Sequence, residues 1–303
     1  MIDFVGKKRW FFLIPAIVII VGIVSLAIFG LRSGVDFSGG TAMTLQFNSP
    51  VEQSQLRQEL ADLGHNEATA QKAGETSFII HLREIPREEA DELVGKLGER
   101  LGRQVEITDY YLASPTVGVE TTRNAGIAVI IAAVAMLFYI VWAFRRMPSP
   151  FRWGTCAIIA LIHDVLIVIG IFSILGQMAD VEVSAMFITG LLAVVGYSIN
   201  NTVVVFDRIR ENMSKGISPD FAVTVNLSLI ETLGRSLNTS LTTLCVILAL
   251  FLFGGATIHH FILVLLIGLL AGTYSSLFIA GPLLVVWEKK EWGELMPFVK
   301  RTA

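Results

Sequence analysis

The side chains in this sequence that could do chemistry lie inside apolar runs. His163-Asp164 sit near the middle of one run. Asn200-Asn201 sit in the next. Arg235, Asn238 and Thr242 open a third. A charged side chain at the centre of a membrane helix costs about 3 kcal/mol, and such groups face helix interfaces or water-filled paths. Groups at that depth are candidates for function by default; the plainer reading of Asp164 is a carboxyl held by hydrogen bonds to a neighbouring helix. Covalent catalysis has no comparable footing: no nucleotide loop, nucleophile-base pair or metal-ligand spacing stands out. The adjacent His259-His260 do not share a helix face. We therefore expect no enzyme and no cofactor.

Composition says what holds these groups. The 303 residues are 53% hydrophobic and 16% charged, against about 25% charged in a soluble domain. Apolar runs of about 20 residues cross a bilayer as helices. Six are predicted: Trp10–Leu31, Asn124–Phe144, Trp153–Leu175, Val183–Phe206, Leu237–Phe253 and His260–Trp287. The first is too long for a cleaved signal core, so it reads as a retained span. Cys156 and Cys245, both in apolar runs, read as small packing residues and not as a disulfide.

Lys and Arg mark one side. Lys7, Lys8 and Arg9 precede span one; Arg145, Arg146 and Arg152 follow span two; Arg208, Arg210, Lys215 and Arg235 follow span four; Lys289, Lys290, Lys300 and Arg301 follow span six. The positive-inside rule then puts both termini in the cytoplasm and the long first loop outside. That loop, 34–123, alternates strand and helix patterns: strand 42–47, helix 51–63, strands 66–72 and 76–82, helix from 86, strand 104–111. The order is that of a split βαβ, ferredoxin-like motif. The fold class is thus an α-helical polytopic membrane protein with six transmembrane helices. One α+β ferredoxin-like extracytoplasmic domain lies between helices 1 and 2. Residues 1–33 hold the first helix, 124–288 the five-helix bundle and 289–303 a cytoplasmic tail. Within 207–235, Phe221, Val225, Leu229 and Leu233 repeat at four-residue steps, which predicts an amphipathic surface helix feeding span five.

Spacing arranges the polar residues. Ala185, Thr189, Ala193, Gly196, Asn200, Val203 and Asp207 share one face of span four, and small residues let helices approach closely in lipid. Arg235, Asn238, Thr242, Cys245 and Ala249 share a face of span five. Gly268, Gly272, Ser276 and Ala280 form a packing face on span six. At the entry to the outer domain, Gly34, Asp36, Gly39 and Gly40 within Gly34–Thr41 read either as a tight turn into a strand or as a hinge at the membrane surface.

Three of these stretches carry a resemblance: Gly34-Val35-Asp36-Phe37-Ser38-Gly39-Gly40-Thr41, Gly196 through Asn212, and Asn238-Thr239-Ser240-Leu241-Thr242-Thr243. They resemble the signatures of the SecF branch of the SecD/SecF family, in the resistance-nodulation-division superfamily. The resemblance implies a bacterial inner-membrane subunit that pairs with SecD beside the SecYEG channel. It implies use of a proton or sodium gradient to promote late translocation of the polypeptide, with membrane lipid as the remaining contact and no nucleic acid. It further implies an ion path at Asn201 and Arg235. The family motif runs G-Y-S-x-N-D, and Asn201 stands where its aspartate is usual. Asparagine cannot titrate. Three alternatives stay open: SecD supplies the essential carboxylate, Asp164 takes over titration, or Asn201 locks one state. A non-conducting scaffold for SecD and a small-molecule or lipid exporter are the competing functions.

Overall fold

The computed structural model describes residues 3–255 and 258–295; Lys300 and Arg301 of the expected tail lie outside them. Among the described residues, six helices are long and apolar enough to cross a membrane. They are α1 (Lys8–Phe29), α5 (Pro115–Ala143), α6 (Pro150–Ala179), α7 (Ala185–Ser214), α8 (Phe221–Phe253) and a last one running His259–Lys289. The last is α9 (His259–Ser275), a π-helical turn at Ser276–Ala280, and α10 (Gly281–Lys289). A four-residue helix, α11 (Trp292–Leu295), follows. The chain is a multi-pass membrane protein.

Between α1 and α5 lie α2 (Val35–Ser38), β1 (Gly40–Phe47), α3 (Gln53–Asp62), β2 (Thr69–Lys72), β3 (Ser77–Leu82), α4 (Arg87–Leu101) and β4 (Val105–Ala113). The four strands form one antiparallel sheet in the order β2-β3-β1-β4. Strict alternation on β1 and β3 buries Met43, Leu45, Phe47, Phe78, Ile80 and Leu82 against Leu56, Leu60, Leu93 and Leu97 of the two helices. Gly102, in the left-handed region at φ 61°, closes α4.

Close helix crossings build the bundle. Gly22 of α1 meets Gly170 of α6, where an added Cβ would lie 2.7 Å from the opposing Cα. Ser25 and Ser173 bond beside this crossing at 2.9 Å. On α9, a Cβ at Gly268 would fall 2.1 Å from Val194, and one at Gly272 would fall 2.9 Å from Ser198. The packing face expected on span six is therefore real.

Three expectations need correction. Segment 221–235 is not a separate surface helix. It is the first part of an unbroken 33-residue α8, and Val225 and Leu229 are buried in the bundle core. Gly234 alone costs only about 1 kcal/mol in a helix interior and does not end it. Asn226 accepts the backbone N–H groups of Phe4 and Val5, which draws this segment inward. Second, α5 begins at Pro115, inside the range assigned to the outer domain, because proline suits the first helical turn. Third, Cys245 is exposed on the bundle surface; Cys156 is the buried thiol.

Candidate functional site

Asp164 is fully buried on α6. Its Oδ2 accepts the hydroxyls of Ser198 from α7 at 2.5 Å and Ser275 from α9 at 2.8 Å. Its Oδ1 lies 2.9 Å from His163 Nδ1. Three helices are thus tied at one carboxylate. The Nε2 of His163 is buried with no hydrogen-bond partner among the described residues. The imidazole stacks on Tyr274, whose hydroxyl donates to the Phe11 carbonyl of α1.

One turn further along α7, Asn201 is buried, and its amide donates to Ser276 at 2.6 Å. Ser276 opens the π-helical turn. Such turns insert one extra residue into a helix and recur at functional sites. Tyr197, Ser240 and Thr273 form a second link, with Tyr197 and Ser240 oxygens 2.9 Å apart and Thr273 donating to Ser240 at 2.8 Å.

The neighbouring face of α7 looks outward. Ala185, Thr189, Ala193, Gly196, Asn200 and Asp207 are exposed, so this stripe does not form the packed side of α7 among the described residues. The buried face is the one carrying Phe187, Leu191, Val194, Ser198 and Val205. On α8, Arg235, Asn238, Thr242 and Cys245 are exposed, while Ser236, Ser240 and Ile247 turn inward. A cleft of about 380 Å³ between α7 and α8 is lined by Val203, Asp207, Arg208, Glu211, Glu231 and Arg235. Arg208 bonds Glu231 at 2.7 Å and Glu211 at 2.5 Å; Asp207 pairs with Arg210 at 2.5 Å. No ion pair is recorded for Arg235 among the described residues.

The structure therefore splits the predicted site. Asp164 and Asn201 belong to an interior polar layer. Asn200, Arg235, Asn238 and Thr242 belong to an outer face. The serines at 198, 240, 275 and 276 complete the interior layer. The paired Ser275 and Ser276 within the apolar run of span six were a signal for two of them.

At the other end of the bundle, Gly34–Gly40 forms a junction. The Asp36 carboxylate accepts the N–H of Ala185, the first residue of α7, at 2.8 Å, and also bonds the Tyr111 phenol of β4. Burial first, and then Asp36, push the Tyr111 phenol above its ordinary range. An acidic group at a helix N-terminus satisfies a free N–H and complements the helix dipole. Gly34 donates to the Val183 carbonyl at 2.8 Å. Gly39 and Gly40 have φ of 75° and 125°, and a Cβ at Gly40 would lie 2.4 Å from the Leu82 carbonyl. Only glycine fits there. Nearby, Asp180 pairs with Arg32 and Arg57, and Glu182 pairs with His81 when that imidazole is protonated. The Arg57 hydrogen bond, with help from Arg32, holds the Asp180 carboxyl below the usual aspartate range. These ties fasten the sheet domain to the α6–α7 loop.

Among the described residues, no group of His, Cys, Asp or Glu is suited to hold a metal ion.

Comparison with known proteins fits this arrangement. A family model described as "Protein export membrane protein SecD/SecF, C-terminal" matches residues 93–290, and the "SecD/SecF GG Motif" matches residues 24–51. "Protein translocase subunit SecF" of Thermobaculum terrenum is 45% identical, covering 96% of each chain. "Protein translocase subunit SecDF" of Bacillus subtilis is 35% identical over 95% of this chain and 38% of its own. The crystal structure of SecDF from Thermus thermophilus superposes with a TM-score of 0.84 at 34% identity, over 95% of this chain and 39% of the other. The chain thus spans about two fifths of the SecDF proteins.

Proposed function

Because this chain belongs to the SecD/SecF family of protein-export membrane proteins, we propose that it is a SecF-type accessory subunit of the bacterial inner membrane. In this reading it pairs with SecD beside the SecYEG channel. The pair uses a proton or sodium gradient to promote late steps of polypeptide translocation. The observation that carries this reading is the outward polar face of α7 and α8. Arg235 lines the cleft between α7 and α8 at the end of a stripe of amides and hydroxyls, and such a polar face on membrane-spanning helices is costly unless a partner covers it. A SecD carboxylate opposite Arg235 supplies the missing charge, and the small residues at 193 and 196 admit a helix at close range. The SecDF relatives, which carry further chain beyond the matched part, support such a partner.

Orientation follows the charges. Lys8 pairs with Glu291 at the end of the bundle away from the sheet domain. Both termini are then cytoplasmic and the sheet domain lies outside. Its β-α-β-β-α-β order and the sheet order β2-β3-β1-β4 support the ferredoxin-like reading. Coupling runs through the junction: a change in helix packing at α7 reaches the outer domain through Asp36 and the Asp180 and Glu182 ties.

The test is export of a secreted reporter in cells depleted of this protein. Arg235→Ala is expected to lower rescue by at least about tenfold, because it leaves a partner carboxylate buried and unpaired. Dissipating the ion gradient is expected to abolish the remaining difference between parent and variant. A second reading is favoured by the Asn201–Ser276 bond, which uses the motif amide for packing. In it the chain is a non-conducting scaffold. Full rescue by Arg235→Ala and Asp164→Asn, with the complex intact, would establish the scaffold and defeat ion coupling in this subunit.

A further inference from the structure

We propose that His163 and Asp164 form a proton-binding site inside this subunit, and that its occupancy sets how tightly α6 holds α7 and α9. The proposal rests on the reading that the chain works in a gradient-driven complex. It assigns the ion and the atoms that hold it.

The hydrogen-bond network assigns the starting state. Ser198 and Ser275 both donate to Oδ2 of Asp164. With the carboxylate ionised, His163 donates its Nδ1 proton to Oδ1. A neutral imidazole protonated at Nδ1 has a bare lone pair at Nε2. That atom is buried and unpartnered, on a residue only 7% exposed. It is an acceptor waiting for a proton.

One proton arriving at Nε2 balances the step. The Nδ1 proton passes to Oδ1 of Asp164, the imidazole is left neutral with its proton on Nε2, and Asp164 is a neutral acid. No heavy atom has to move for this. The consequences for packing are two. Hydrogen bonds to a carboxylate are roughly twice as strong as those between neutral groups, so the ties from Ser198 and Ser275 weaken. The Nε2–H becomes a buried donor facing no acceptor, which favours any arrangement that gives it one. Ser275 already has an alternative acceptor in the Gly272 carbonyl at 3.3 Å. Its neighbour Ser276 holds Asn201 and begins the π-helical turn. Loosening at Asp164 therefore reaches the turn where α9 can change register.

The charge environment is spare. The other titratable group in contact is Tyr274, stacked on His163 and bonded to the Phe11 carbonyl. Among the described residues, α7 and α9 bring the hydroxyls of Ser198, Ser275 and Ser276 and the Asn201 amide to this layer. A sodium ion asks for more oxygens than one carboxylate and two hydroxyls give, and the imidazole nitrogen occupies the remaining side. The proton is the fitting ligand.

The experiment is infrared difference spectroscopy on the full chain in lipid nanodiscs, acid minus alkaline. One carboxylic C=O band is expected that is absent in Asp164→Asn. In Ser275→Ala, which keeps the carboxyl, the same band is expected at higher wavenumber, since its oxygen has lost a donor. Replacing sodium by potassium at fixed pH is expected to leave the band unchanged. Identical spectra from the parent, Asp164→Asn and Ser275→Ala would overturn the proposal, as would a band that sodium removes. Such a failure stays separate from the broader reading, because the Arg235→Ala export assay does not depend on this site.

Discussion

Asn200 and Asn201 are neighbours in sequence, about 100° apart around α7, and they meet opposite environments. Asn200 is exposed; Asn201 is buried against Ser276. The sequence marks both as unusual at that depth, and helical spacing separates their rows. It does not say which row faces inward. Both rows mix small and polar side chains, and only the partner helices decide. The depth of Asp164 was legible, but its cage was not, because Ser198 and Ser275 come from two other helices. The Asn201–Ser276 pair has a measurable signature. Ser276→Ala leaves a buried amide donor unpaired and is expected to cost about 1–3 kcal/mol. Adding Asn201→Leu to it is expected to recover most of that loss. Thermal unfolding in detergent of the two single variants and the double would show strict additivity if the bond is not the cause.

Helices in this protein are held by contacts that only glycine permits. At Gly268 an added Cβ would overlap Val194, so Gly268→Val is expected to separate α7 from α9 and destabilise the bundle by about 1–3 kcal/mol. A Cβ added at Gly196, on the outer face, would meet nothing within 4 Å among the described residues. Gly196→Val is expected to leave the isolated chain stable and to weaken pairing with SecD, as read by co-purification. Equal loss of stability in both variants would remove the distinction between inner and outer faces. Cys245 lies on that same outer face. It is expected to react with a maleimide in the isolated chain and to be shielded in the complex; equal labelling in both would place the partner elsewhere. The six apolar runs were legible from their length and the four strands from their place in a strand-and-helix pattern. The continuity of α8 was not, because a polar helix opening reads the same on a membrane surface as against a bundle.

Taken whole, the molecule is two bodies fastened by a few polar ties. Asp180 is the centre of one set, holding Arg32 beside α1 and Arg57 of the outer domain. Its carboxyl is held below the ordinary range, so the tie contributes fully above about pH 4 and is lost as pH falls through the lowered value. The protection of amides in β2 and in residues 180–184 against hydrogen exchange, corrected for the intrinsic pH dependence of exchange, is expected to be steady from neutral pH to about pH 5 and to fall in stronger acid. Asp180→Asn is expected to remove that acid step; an unchanged step in the variant would assign it to another group. The lock between domain and bundle was not legible in the sequence, because acidic residues in a short loop look like ordinary solvated charge. A different consequence follows from the N-terminal contacts. Lys8 pairs with Glu291 across 283 residues, and Phe4 is held by Asn226 across 222. The ribosome makes about 5–20 residues per second, so the first span waits roughly 15 s to a minute for its last partner. During that interval the nascent chain sits in the bilayer with its closing contact unmade, and a membrane chaperone has its longest opportunity to act there.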